Sequence, residues 1–263
     1  MNIAGIYNHL PEGIKTKIFP LYKYIPGRRK IVKKEIDGIS YELDLSERIQ
    51  ASIYYYGCFE KETTELINRV TKSGMTVIDV GANIGCHTFR FAKLVGETGK
   101  VYAFEPMSHA FKKLKRNNEL NTFNNIIFEK LGVSDKEEEK KIFFTTEWSL
   151  LGECTDGEPE NIKFTTIDNY FENKRVDIIK IDVDGYETEV IKGGRKTIKK
   201  CKPEIIIEIC GDAHKKFGKD IGNLIDELEY IGYTCFDEVT GEHLSFKKIR
   251  ELSVGTVNVL CKR

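Results

Sequence analysis

Apolar and polar positions follow two rhythms along this chain. From Met75 onward, short Val/Ile-rich runs of strand length are separated by stretches whose apolar residues recur at helical spacing. "TVIDVG" (76–81) precedes a helix over 85–95, and "KVYAFEP" (100–106) precedes one over 108–121. "IIFEKLGVSD" (126–135) reads as a third strand and its exit loop. "VDIIKIDVDG" (176–185) is a fourth strand, followed by a helix from Glu187 to Lys199, and "PEIIIEIC" (203–210) a fifth, with a helix over 217–231. "YTCFDEV" and "TVNVLCK" both alternate and flank a Thr240-Gly241 turn signal. The charged "DKEEEKK" reads as a turn before "IFFTT", and 147–163 as an irregular insertion. Near-continuous apolar strands bracketed by helices are covered on both faces, which a parallel sheet requires. The pattern predicts an α/β fold: a doubly wound, mostly parallel seven-stranded Rossmann-like sheet. Its last two strands form an antiparallel edge pair, and ligands sit at the carboxyl ends of the strands.

Upstream, "KIVKKEIDGISYELDLS" alternates around Asp37-Gly38, a hairpin signal, and "FEKETTELINRVTKSG" (59–74) reads as a helix closed by a glycine. The expected organisation is a basic extension over 1–34, a hairpin and helix over 35–74 packed on the core, and the main domain over 75–263. Charge refines this picture. The whole chain balances 41 basic against 41 acidic residues, so nothing recommends DNA as a partner. Residues 1–34, however, hold eight basic side chains (Lys15, Lys17, Lys23, Arg28, Arg29, Lys30, Lys33, Lys34) against Glu12. Bulky apolar residues interleave with these cations, a pattern that suits peripheral contact with an anionic membrane surface or a solvated edge on the main domain. Seven scattered cysteines without a C-x-x-C pair argue for a reducing compartment and against a disulfide frame or structural zinc. No apolar run reaches the length of a membrane span or a signal peptide core, so a cytoplasmic protein is expected.

The chemistry begins at "VIDVGANIGCHTF" (77–89), where a strand runs into a glycine-spaced turn and then a helix. In a dinucleotide site the middle glycine of G-x-G-x-x-G lets a pyrophosphate touch backbone. Here the order is Gly81, Asn83, Gly85, and a Cβ at position 83 would crowd that phosphate. A phosphate-free ligand with an amino-acid end suits the turn better, and S-adenosylmethionine is such a ligand. Asp79 can attract its ammonium group, and the following helix N-terminus, with Thr88, can bind its carboxylate. Glu105 ends the second strand, 24 residues beyond Gly81, and can accept both ribose hydroxyls. Ser134 and Asp135 at the third strand's exit could meet the adenine amino group, although an Asx-type turn explains the same residues.

These segments resemble class I S-adenosylmethionine-dependent methyltransferases and, within them, the FkbM family. The resemblance rests on "VIDVGANIGCHTFRFA", "VYAFEP" and "FTTIDNYFENKRVDIIKIDVDGYETEVIKGG" (164–194), with "PEIIIEI" and "YYYGCFEKET" as further matches, and covers roughly residues 50–260. It implies O-methylation, often of sugar hydroxyls in surface glycans or natural products. The cofactor turn carries over to Asp79, Gly81, Asn83 and Gly85, and the ribose acid to Glu105.

A sugar hydroxyl does not ionise at neutral pH, so its proton must go to a general base or be displaced by a metal. Alternation along "IKIDVDG" places Lys180, Asp182 and Asp184 on one side of the fourth strand. Buried charges need partners. Asp182 is the candidate base, Lys180 its partner, and Glu208 on the fifth strand reaches the same cleft; a closed structural ion pair is the competing reading. If a metal is present, Asp182, Asp184 and Glu208 could hold Mg²⁺ through oxygen. His87 follows the glycine turn and lines the pocket, whereas His109 faces solvent. Trp148 and Ser149 in the insertion could cover a sugar acceptor or simply plug the domain's edge. The Lys180/Asp182 pair also resembles those that methylate RNA ribose, but a neutral chain speaks against RNA. Natural-product methylation and a non-catalytic module that only binds the cofactor remain as rivals.

Overall fold

The computed structural model of the protein describes residues 31–142, 159–251 and 255–263. Most of the basic extension, and Trp148 and Ser149, lie outside the described residues. The chain divides into two compact units, up to Lys61 and from Glu62 onward. In the first, β1 (Ile31–Ile36) and β2 (Ile39–Asp44) pair antiparallel about Asp37-Gly38. Both turn residues have positive φ, 50° and 71°, which is what a tight two-residue hairpin needs. A helix Arg48–Tyr56 follows, which the sequence pattern did not separate from its surroundings. It ends on Gly57 at φ 80°, whose N–H donates to the Ile53 carbonyl.

The helix Lys61–Val70 starts at the boundary, and the second unit carries β3 (Thr76–Val80), β4 (Lys100–Phe104), β5 (Ile126–Glu129), β6 (Gly132–Val133), β7 (Glu138–Ile142), β8 (Glu160–Thr165) and β9 (Ile178–Ile181). It continues with β10 (Glu204–Cys210), β11 (Thr234–Asp237), β12 (His243–Leu244) and β13 (Thr256–Lys262). The main sheet runs β12-β11-β13-β10-β9-β3-β4-β5. It is parallel from β10 to β5, and β13 runs against both of its neighbours. The predicted α/β architecture is present, but this sheet has eight strands rather than seven. The extra one, β12, is two residues long and too short to show alternation. The Thr240-Gly241 turn therefore joins β11 to β12, and the helix Phe246–Arg250 separates β12 from β13. β11 and β13 remain antiparallel neighbours, as expected.

Other differences have local causes. Residues 138–142 are not a turn. They form β7, which with β6 and β8 makes a second sheet, and the exposed charges of Glu139, Lys140 and Lys141 hid the strand. The helix expected over 187–199 breaks into Glu187–Gly193 and Arg195–Cys201. A Cβ at Gly193 would stand 2.0 Å from the Ser134 carbonyl oxygen, a tertiary contact that no periodicity reveals. The helix expected over 217–231 is Gly211–Lys216 followed by Ile221–Ile231, the latter capped by Asp220 through the Gly222 N–H at 2.8 Å. Cys235 and Cys261, partners across β11 and β13, are joined as a disulfide, which corrects the expectation of none. Among the described residues no helix is long and apolar enough to cross a membrane.

Both faces of the sheet are covered. Ile179, Ile181, Ile205 and Ile207 pack with Val190, Ile198, Leu224 and Leu228 on one side. On the other, Val77, Val101, Ile178, Ile206 and Leu260 pack with Leu66, Ile67, Phe91, Ala92 and Val95. Each such Val, Leu, Ile or Phe side chain contributes roughly 1.5–3 kcal/mol by leaving water.

Candidate active site

The second of those faces changes character toward the carboxyl ends of its strands. Following alternate residues, Val77 gives way to Asp79, Ile178 to Lys180 and then Asp182, Ile206 to Glu208, and Val101 to Ala103 and Glu105. Asp79 is in register with Lys180, and Glu208 with Asn258 of β13. Strand order reverses between β3 and β9, the switch point at which doubly wound sheets open a ligand crevice.

On the β3 side the turn has left-handed backbone at every second residue: Gly81 at φ 87°, Asn83 at 49° and Gly85 at 98°. Asparagine is among the few residues with a Cβ that accept this region readily. The Asn83 N–H donates to Glu105 Oε2 at 2.8 Å, and the Met107 N–H to Oε1 at 2.9 Å. The turn and the second-strand acid are thus one hydrogen-bonded unit, although 22 residues separate them. Asp79 is 1% exposed. Its Oδ2 accepts the Thr88 hydroxyl at 2.6 Å, so Thr88 orients Asp79 instead of standing ready for a ligand carboxylate. Asp79 Oδ1 is buried without a hydrogen-bond partner among the described residues. A buried carboxylate oxygen in that state is stabilised by a cation or a donor. An adenosyl amino acid, with an ammonium for Asp79 and two ribose hydroxyls for Glu105, fits these residues.

Burial pushes the Glu105 carboxyl up to about 7, with Asp79 and Asp182 adding to the rise, against the opposing N–H bonds of Met107 and Asn83. Ligand hydroxyls that donate to Glu105 need it ionised. Affinity for S-adenosylmethionine is therefore expected to fall as the pH drops, to about one tenth at pH 6 of its value at pH 8. Isothermal titration at several pH values checks this; a flat profile would separate Glu105 from binding.

On the β9 side the strand ends at Ile181, so Asp182 lies just past it and Asp184 in a left-handed turn at φ 48°. Lys180 is 3% exposed, and its Nζ donates to Asp182 Oδ2 at 2.9 Å. Burial alone would raise the Asp182 carboxyl, but the Lys180 ammonium, a hydrogen bond with the Glu208 side chain and nearby His87 hold it below the usual range. Two carboxyls can share a hydrogen bond only through one proton.

Lys180, Asp182 and Glu208 therefore meet as the sequence suggested, while Asp184 belongs to the turn beyond them. No group of three or more His, Cys, Asp or Glu side chains is arranged to hold a metal ion among the described residues, and the cation beside Asp182 is the Lys180 ammonium. His87 is buried near Asp182 and His109 is exposed. Ser134 and Asp135 lie at the end of β6 in the second sheet, the Ser134 hydroxyl 3.3 Å from Asp135 Oδ1. Asn258 went unnoticed in the sequence. It is the polar residue of an otherwise apolar "VNVLC", and its amide donates to Thr63 at 3.1 Å beside Glu208.

Residues 79–235 match the family described as "Methyltransferase FkbM domain", more than half of the chain. No curated protein matches the chain. Solved structures with a similar course include a putative rRNA-methylase from Clostridium thermocellum, 16% identical over 76% of this chain and 93% of that one, TM-score 0.49. A methyltransferase FkbM from Methylobacillus flagellatus KT is 16% identical over 76% of this chain and 50% of its own, TM-score 0.47. M. jannaschii TYW2 in complex with AdoMet is 19% identical over 90% and 86%, TM-score 0.46.

Proposed function

Because the chain belongs to the FkbM family and is an S-adenosylmethionine-dependent methyltransferase, we propose that it methylates a hydroxyl group, that of a sugar or glycan. The observation that carries this reading is Asp182, an ionised carboxylate held between Lys180 and Glu208 at the strand ends beside the glycine turn. S-adenosylmethionine, when bound, supplies a methyl group on a positively charged sulfur. Asp79 and Glu105 hold and orient its two ends, which fixes the line of attack; alignment of this kind is a large part of catalysis in a displacement. Asp182 Oδ would accept the proton that the acceptor hydroxyl gives up on being methylated. Lys180 keeps Asp182 ionised and fixed. Glu208, hydrogen-bonded to Asp182, helps hold it in place.

The eight cations of residues 1–34, interleaved with apolar side chains, support an acceptor presented at an anionic lipid surface. The test is to incubate the protein with methyl-labelled cofactor and separate lipid-linked glycan, soluble glycan, small-metabolite and RNA fractions. Label in a glycan fraction that survives mild alkali, as an ether does and an ester does not, is the expected result. Label confined to RNA or to no fraction would overturn it. Removing the ribose acid gives a second measurement. Glu105→Ala is expected to weaken cofactor binding by about 1–3 kcal/mol, since it unmakes charge-assisted hydrogen bonds and leaves two backbone N–H groups without their acceptor. An unchanged dissociation constant would remove Glu105 from the site.

A further inference from the structure

Behind the Asp182 turn lies a pair of side chains that methyl transfer does not use. Glu187 and His214 are each 1% exposed, and His214 Nε2 is 3.3 Å from Glu187 Oε2. His214 Nδ1 lies 3.0 Å from the Cys210 carbonyl oxygen. A carbonyl only accepts, so Nδ1 carries the hydrogen, and Nε2 presents its lone pair to Glu187. Neither Nε2 nor Oε2 has another hydrogen-bond partner among the described residues. The other Glu187 oxygen accepts the Gly185 N–H at 2.8 Å. Gly185, at φ 95°, follows Asp184 in the left-handed turn that leaves Asp182. A Cβ on Gly185 would come within 3.2 Å of the Ala213 carbonyl carbon, so this turn and the helix after β10 touch backbone to backbone. Tyr186 and Phe217 close the same junction with ring centroids 5.5 Å apart.

We infer that Glu187 and His214 share a single proton as a buried O–H···N hydrogen bond, which positions the Asp182–Gly185 turn against the segment after β10 and lets it go when that proton leaves. This deepens the reading of Asp182 as the base and rests on it, because the turn so held is the one that aims Asp182. With the proton present, Glu187 bridges Gly185 and His214. Without it, Oε2 and Nε2 face each other as two lone pairs in a dry site, a repulsive contact. Glu187 then keeps Gly185 but releases His214.

The surroundings favour the one-proton state. Burial pushes Glu187 up to about 7, opposed by the N–H groups of Gly185 and of Glu187 itself, and reinforced by Asp184 and Asp182. Burial also lowers His214, as does the Lys219 ammonium, against the Cys210 carbonyl and the charges of Glu189 and Asp220. Lys219 itself is paired with Glu189 at 2.9 Å and sits over the Tyr186 ring. The proton therefore resides on Glu187 below neutral pH and departs as pH rises through it.

The experiment needs neither cofactor nor acceptor, so its failure would leave O-methylation standing. Protein labelled with ¹⁵N-glycine and ¹⁵N-histidine is titrated from pH 5.5 to 8.5. The Gly185 amide and the His214 ring nitrogens are expected to shift in one step with a shared midpoint near 7. Glu187→Gln retains an oxygen for the Gly185 N–H and offers a permanent N–H to Nε2, so it is expected to abolish the step at both groups. Separate midpoints, no step in the wild-type protein, or a step surviving at either group in Glu187→Gln would overturn the inference. The wild-type titration alone suffices if the variant does not fold.

Discussion

Asp182→Asn is expected to slow methyl transfer by about 10²–10⁴-fold, the usual contribution of a positioned base, while cofactor affinity changes little. The amide has the same shape, so the acceptor still fits, but it cannot take the acceptor's proton. Lys180 keeps an oxygen to donate to, though without a counter-charge for a nearly buried ammonium, so some loss of stability accompanies the loss of rate. Thermal unfolding identifies that part, and single-turnover rates with labelled cofactor isolate the chemical step. Wild-type turnover in the variant would clear Asp182 of the role. A matched fall in cofactor affinity would mean that the side chain positions the cofactor and not the proton.

The second large effect concerns backbone. Gly81→Ala places a methyl 1.9 Å from the Asp182 carbonyl oxygen, at a φ of 87° that side chains rarely adopt. Neither neighbour is the far end of a flexible chain, so the turn and the exit of β9 must separate. A cost above about 3 kcal/mol in unfolding free energy, with loss of measurable cofactor binding, is the expected result. Gly218→Ala is the control. Its φ of 62° is also left-handed, but an added Cβ meets nothing within 4 Å, so only the local conformational cost of about 1–2 kcal/mol should appear. Equal losses in the two variants would show that φ alone, and not the contact with Asp182, makes Gly81 necessary.

The contrast also shows what a linear reading can reach. The cofactor half was legible because its signals are local: a strand, a spaced turn, a helix, and an acid at the next strand's end. What stayed hidden was that Asn83 and Glu105 are bonded to each other, since the link runs through backbone across 22 residues. The catalytic half was legible only as residue types. Alternation placed Asp184 beside Asp182, but the strand stops at Ile181 and the turn beyond it carries Asp184 elsewhere. Glu208 and Asn258 meet through the pairing of β10 with β13, about 50 residues apart, which no short-range pattern encodes. β7 was missed for the opposite reason: a short run of exposed charged residues looks like a turn.

One detail of the sheet bears on how the protein is made. Among the described residues β11 pairs with β12 and β13, and β13, the last of these strands in chain order, is wedged between β10 and β11. Until residues 256–262 dock, β11 and its short hairpin therefore offer an unpaired edge. Such an edge is open to strangers. A chaperone that shields strand edges would do most for this protein in that interval.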